Sequence, residues 1–457
     1  MNPTPDAVFD RIVRGDIVTS ETVLADGYVA IREGRIAAIG QGESPAARVV
    51  SDHRGKLVFP GLVDGHMHTS SAMGWAGIEH ATRTAAAGGV TTVCDMPYDI
   101  PRPVTDAAIF REKVAVVEAT AHVDVALYGT ITKQGGTGAI LGLAEAGASA
   151  FKLSTYEYDA VRFPRIDHIE MEKAFAFIAE TGLMVAVHNE DQELVEKLTA
   201  GALAAGRTDP IMHCRTRPPL AENLANATIF EIGLATGAHV HIAHSSLASG
   251  FDLAELYRRR GIQASGEACI QYLCMTEEDI LRLGGKGKCN PPFRTAEEVE
   301  RVWERLLKGA VAYVSTDHAP WPIERKKDPD IFKCAAGLTG LQSFAPLMFT
   351  LLEDRRLSPT LMARYCAEEP ARFHGLLPKK GRIAVGADAD LCVIERGSFT
   401  FDETMIVDRP ECRWSPYHGR EMKGRVAAAY LRGEPVWDGH RVLNAPGSGQ
   451  FVPRQKG

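Results

Sequence analysis

Six side chains in this 457-residue sequence combine metal-binding chemistry with a regular placement. His66 and His68 stand two apart in PGLVDGHMH. On an extended chain both imidazoles then lie on one face and can reach one metal ion. Lys152 sits inside the apolar run AFKLS, where an unpaired ammonium is costly. Two readings of it are open. It snorkels outward or pairs with a carboxylate, or burial lowers its pKa, the neutral amine captures CO₂, and the carbamate bridges two metals. His188 closes LMVAVH, His244 closes HVHIAH, and Asp317 follows AYVST. Taken singly, a His-x-His pair is more often packing, and an Asp past a strand is more often a turn or N-cap residue. Four histidines, a lysine and an aspartate at the same ends of five runs point to a metal site instead. His239 and His241 have the opposite parity from His244 and are read as packing or surface residues facing away from it.

The elements that must position these residues are legible as a count. Eight short apolar or β-branched runs occur at 57–63, 89–96, 122–129, 148–153, 183–188, 239–244, 262–266 and 311–316. Segments of helical periodicity lie between most of them, among them 167–181, 221–236 and 295–309. Eight strand-then-helix units imply an α/β chain, a (β/α)₈ TIM barrel with its site at the C-terminal strand ends. Several runs are apolar throughout, as strands covered on both faces should be. The flanks differ. Residues 27–40 read as a hairpin around Glu33-Gly34, and 381–395 and 424–439 are strand-rich, the latter turning at Gly433-Glu434. The two ends are expected to combine into a small composite β-sandwich domain, 1–56 with 378–457, beside a barrel over 57–377.

Composition narrows the function classes. The chain is 45% hydrophobic and 24% charged with a net charge of −7, and has no basic stripe, so no nucleic-acid partner is expected. No apolar stretch reaches the roughly 18–20 residues of a membrane span, and MNPTPDAVFDRIVRGD lacks a signal-peptide pattern. Nine scattered cysteines without a C-x-x-C pair predict free thiols and a reducing cytoplasm.

The set PGLVDGHMH, GGVTTVCDMP, AFKLS, VAVHNED, IAHSS, KCNPPFR, STDHAPW and GADADLCVI resembles the amidohydrolase superfamily. Within it the chain resembles the cyclic amidohydrolases: allantoinase, hydantoinase/dihydropyrimidinase and dihydroorotase. The resemblance covers nearly the whole chain and implies the same barrel and composite β domain. It implies that His66, His68 and Asp317 hold a more buried metal ion, His188 and His244 a second, and carboxylated Lys152 both. It implies two-metal hydrolysis of a small cyclic amide or ureide, with Asp317 as general base and then acid. Zinc is the first choice for so imidazole-rich a set, with manganese, cobalt or iron as alternatives. A homotetramer or a dimer is implied.

Departures inside the motifs bear on the substrate. Dihydroorotase carries an arginine just after His-x-His, where Thr69 and Ser70 stand here, and an asparagine where Tyr98 stands. Hydantoinases carry a tyrosine five residues after the bridging lysine. That position is Glu157, flanked by Tyr156 and Tyr158 as candidate substrate contacts. Segments similar to allantoinase are the most numerous: CDMPYDIP, KCNPPFR, GLTGLQSF, SPYHGR and APGSGQF. The loop STYEYDAVRFPRI after Lys152 is unlike that of allantoinase. Asn290 is a further candidate substrate contact or a turn residue before Pro291-Pro292, while Arg162 and Arg165 either reach an anionic substituent or are solvated, the second being the preferred reading.

Overall fold

The computed structural model describes residues 8–455. The outermost parts of the expected composite domain, 1–7 and 456–457, lie outside the described residues. Four strands open the chain: β1 (Phe9–Val18), β2 (Val23–Arg32), β3 (Arg35–Gln41) and β4 (Ala47–Pro60). Nine shorter strands follow: β5 (Leu62–Met67), β6 (Val90–Asp95), β7 (Asp124–Gly129), β8 (Ala150–Ser154), β9 (Met184–His188), β10 (His239–Ile242), β11 (Ala264–Gly266), β12 (Ala268–Cys269) and β13 (Val314–Ser315). Three more close the chain: β14 (Leu391–Thr400), β15 (Glu421–Leu431) and β16 (Glu434–Trp437).

The middle group is the barrel. β5 to β11 form one sheet in sequence order, all parallel. β12 continues the seventh run and pairs in parallel with β13. The ring closes where β13 meets β5: Asp317 N donates to His66 O at 2.9 Å and His68 N to His318 O at 2.8 Å. β6 to β9 are buried along their whole length, because crossover helices cover them outside and side chains fill the lumen. Those helices begin where capping residues stand. The Asp167 carboxylate accepts from Ile169 N and Glu170 N, and Thr295 Oγ1 from Glu298 N. Helix Ala296–Leu307 buries Val299, Val302, Trp303 and Leu306, the one-sided stripe of an amphipathic helix. Each such aliphatic side chain contributes about 1.5–3 kcal/mol by leaving water.

The chain ends share a seven-stranded sheet, in the order β16-β15-β14-β4-β1-β2-β3, as the composite β-sandwich requires. Val13, Ile17, Val29, Val58, Leu391 and Tyr430 form its separate core. The run at 57–63 proves to be two strands. Leu57–Pro60 ends β4 and pairs with β14, and the barrel begins after Gly61. A Cβ on Gly61 would lie 2.1 Å from Thr91 Oγ1, so only glycine lets the chain pass there. The strand-rich reading of 381–395 holds only from Leu391. Before it, Lys380 is buried among Asp124, Asp388 and Asp390, and pairing is reduced to an isolated antiparallel bridge between Asp388 and Arg35. The last hairpin turns at Arg432-Gly433 (φ 48° and 80°), one residue earlier than read, whereas Glu33-Gly34 turns where expected (φ 50° and 74°). All nine cysteines are free. No helix among the described residues is long and apolar enough to cross a membrane.

Candidate metal centre and active site

One cavity of about 490 Å³ opens at the C-terminal ends of the barrel strands, and His66, His68, Lys152, His188, His244 and Asp317 all line it. His66, His68 and Asp317 cluster most tightly. His66 Nε2 and His68 Nε2 each lie 3.3 Å from Asp317 Oδ1, within the reach of one ion. His188 and His244 face each other across the cavity, Nδ1 to Nε2 at 2.9 Å. The His66 and His244 rings stand 5.2 Å apart, which joins the two groups.

Lys152 is buried at the base. Its Nζ has no hydrogen-bond partner, and neither has His66 Nε2 nor His244 Nδ1. Three orphaned buried nitrogens in one cavity are a rare expense in a folded protein. They are relieved together if each donates a lone pair to a cation or, for Lys152, carries a carboxyl group. Burial lowers the Lys152 amine to about 8, which enlarges the fraction with a free lone pair, and holds His66, His188 and His244 below their usual range, so the three imidazoles favour neutral forms. The donor set fits divalent ions of the zinc type.

Carboxylates around the cluster fix its geometry. Glu267, between β11 and β12, accepts a short hydrogen bond from His66 Nδ1 and another from His244 N at 3.1 Å. Burial raises the Glu267 carboxyl, but His66 and His241 outweigh it and hold it ionised. With His66 Nδ1–H tied to Glu267, Nε2 is the nitrogen aimed into the cavity. Asp64 accepts from His66 N and from the Thr316 amide and hydroxyl, setting β5 against β13. Glu190 accepts from His188 Nε2 at 2.9 Å and from Arg217. Tyr158 OH lies 3.1 Å from His188 Nε2 and 3.2 Å from Glu190 Oε2. The reading of the sequence missed Glu267, Asp64, Glu190 and Arg217. For the three carboxylates the one local signal is an acidic residue near the end of an apolar run, and Arg217, in HCRTRPPL, has none.

The substrate-side residues are also placed. Tyr156, Tyr158 and Asn290 line the cavity. The Asn290 Oδ1 is buried without a partner, which favours a contact role over a turn role. Arg217 stacks over Tyr156 at 4.8 Å. Glu157, at the hydantoinase tyrosine position, pairs with Lys133. Arg162 is not simply solvated: it lines the cavity and donates to Ser71 O at 3.1 Å, because Asp159 turns the loop back. Tyr98 stacks on Phe163 at 3.7 Å, forming an aromatic wall. His239 and His241 do pack, but not by facing away. Both bond Ser265, and His241 stacks on Tyr313 in the barrel interior. His244 reaches the mouth because its φ of 43° breaks the strand's alternation.

Known proteins resemble this chain along nearly its whole length. The chain is 36% identical to an allantoinase of Rubrobacter xylanophilus over 455 residues, covering 98% of this chain and 99% of that one. It is 35% identical to an allantoinase of Solibacter usitatus, covering 96% of each. In structure it matches the L-hydantoinase (dihydropyrimidinase) from Arthrobacter aurescens with a TM-score of 0.93 at 30% identity, covering 98% of this chain and all of that one. The profile of the amidohydrolase family matches residues 57–435, from the end of β4 through the barrel into the C-terminal strands. The barrel, its mouth cluster and the relatives along its whole length agree: this chain belongs to the amidohydrolase family.

Proposed function

We propose that this protein hydrolyses a ring C–N amide bond of a small cyclic ureide, allantoin first, with hydantoins or dihydropyrimidines as the alternative. The observation that carries the reading is the convergence of orphaned Lys152 Nζ, His66 Nε2 and His244 Nδ1 on one cavity with His68, His188 and Asp317. His66, His68 and Asp317 would hold one divalent ion, His188 and His244 a second, and Lys152 both, as a carbamate. That carbamate forms when the neutral amine attacks CO₂ and releases a proton. Zinc suits the donor set best. When bound, such ions polarise a carbonyl and lower the pKa of a water to near neutrality.

The chain's own groups do the rest. The Asp317 carboxylate takes the proton of the attacking water. It returns that proton to the ring nitrogen as the C–N bond breaks, leaving a carboxylic acid at the old carbonyl carbon that loses its remaining proton to solvent. Tyr158, hydrogen-bonded beside His188, and Asn290, with an unpaired oxygen, flank the ring. Tyr156 is steadied by Arg217 beneath it. The aromatic wall of Tyr98 and Phe163 keeps water from the ring face. In this reading the barrel, expected over 57–377 and begun after Gly61, carries the chemistry, and the composite domain, expected over 1–56 and 378–457 and extended by Leu57–Pro60, steadies it. The enzyme works in the cytoplasm as a homotetramer or dimer.

The test is ring opening of allantoin, hydantoin, dihydrouracil and dihydroorotate by zinc- and bicarbonate-supplemented enzyme. Allantoin is expected to open fastest. A lead by hydantoin or dihydrouracil would select the alternative, and no opening of any ring with two metals bound would refute the reading.

A further inference from the structure

Four buried lysines lie outside the metal cluster among the described residues, and two of them, Lys288 and Lys326, are held by main-chain carbonyls rather than by carboxylates. Lys288, the first residue of KCNPPFR, is 8% exposed and Lys326 is 2% exposed. Their ammonium groups are enclosed by main-chain carbonyls. Lys288 Nζ donates to Ile331 O at 2.7 Å, Cys334 O at 2.8 Å and Phe332 O at 3.4 Å. Lys326 Nζ donates to Ala335 O at 2.7 Å, Gly337 O at 2.8 Å and Lys288 O at 3.0 Å. Each ammonium has three protons, and each set of acceptors uses all three. Burial pulls both amines down, to about 8 for Lys288 and about 7 for Lys326, while the six carbonyl dipoles favour the protonated form.

The segment they grip has little structure of its own. Only a single turn, Ile331–Lys333, is helical. Yet Phe332 to Gly337 form one wall of the substrate cavity. Ala335 N bonds Arg325 O and Gly337 N bonds Lys288 O, both at 2.9 Å. The Lys288 carbonyl thus accepts from both Gly337 N and Lys326 Nζ, two residues before Asn290. Lys326 also lies 5.3 Å from the Trp414 ring, whose indole N–H donates to Trp321 O at 2.7 Å, on the same side of the cavity. An irregular segment holds one shape only when its carbonyls are satisfied, and here two buried cations satisfy five of them between 331 and 337.

We infer that Lys288 and Lys326 act as a paired staple that locks the 332–337 wall to the Asn290 loop and so sets how the substrate ring is held. They are positioning residues whose ammonium groups bond main-chain carbonyls and no metal ligand, and their effect falls on substrate binding. The inference rests on the proposed ring hydrolysis. Its test uses Lys288→Met and Lys326→Met in the metal-loaded enzyme, with whichever of allantoin or hydantoin the wild type opens faster. The expected result is a KM raised about tenfold or more, kcat changed by less than about threefold, and two metals retained per chain. An unchanged KM in both variants, or a loss confined to kcat or metal content, would overturn it. Hydrogen exchange on the unmodified enzyme keeps the claim testable if the variants do not fold, or if the wild type opens neither ring and the hydrolysis reading itself fails. The Ala335 and Gly337 amides should exchange slowly despite lying in irregular chain, and exchange at free-loop rates would overturn the staple by itself.

Discussion

Replacing Glu267 should separate metal affinity from fold stability, because its carboxylate serves both. One oxygen receives His66 Nδ1 and the amide of His244, residues proposed to hold different ions. In Glu267→Gln an amide oxygen can still accept from His66, so the tautomer survives while the charge that strengthens the imidazole as a donor is lost. Outer-sphere changes of this kind cost roughly 10–100-fold in metal affinity, or about 1.4–2.7 kcal/mol. In Glu267→Ala both donors are left buried and unpaired, at about 1–3 kcal/mol each. The apo form should therefore lose about 2–6 kcal/mol of stability, which Gln should largely keep. The assay is competition with a chromogenic chelator for the first and second zinc equivalents, paired with denaturant unfolding of the metal-free protein. Wild-type affinity for both equivalents in the Gln variant would refute the role given to Glu267. Unchanged apo stability in the Ala variant would refute the claim that it satisfies two buried donors.

Three further perturbations reach other parts of the argument. Lys152→Met should abolish turnover and weaken metal retention, with partial rescue by formate or acetate. It should also stabilise the apo form by about 1–3 kcal/mol, since a buried amine without a partner is removed; full activity would exclude the bridging carbamate. Tyr158→Phe should keep both metals and lose about tenfold in kcat/KM, as expected for one hydrogen-bonding hydroxyl, and an unchanged value would reduce Tyr158 to a lining role. Lys380→Met should leave Asp124, Asp388 and Asp390 as buried carboxylates without their shared cation. A loss of about 3–5 kcal/mol is expected in denaturant unfolding, and an unchanged midpoint would show that Arg432 alone compensates.

What the sequence showed and what it hid follow from the range of the interactions. The eight runs are local, since a strand covered on both faces must be apolar throughout, and that pattern needs no partner to be seen. Lys152 lies within its strand and His188 at the last residue of its strand, which is why the apolar runs alone place them. Glu267 was not visible as a partner of His66 because 201 residues separate the two, and 252 separate Asp64 from Thr316. No periodicity reports such pairs. The passage from β4 to β5 was hidden for a different reason. Two strands of different sheets are both buried there, and only Gly61 punctuates them.

The two positions where alternation breaks explain how the cluster can form at all. His244 and Asp317 both lie two residues past the end of a strand, at φ 43° and 48°, a region that non-glycine residues enter at a cost of about 1–3 kcal/mol. Had β10 continued as a strand, His244 would have followed the opposite face from His241, which packs inside the barrel. The left-handed turn carries its ring into the mouth instead. Each turn is held by a bond that leads back to His66: His244 N to Glu267, the partner of His66, and Asp317 N to the His66 carbonyl. The strain at the proposed ligands of the two ions is thus borne by one short stretch of β5 and one carboxylate. Loosening either should disturb both ions together, whereas two independent sites on one barrel would fail one at a time.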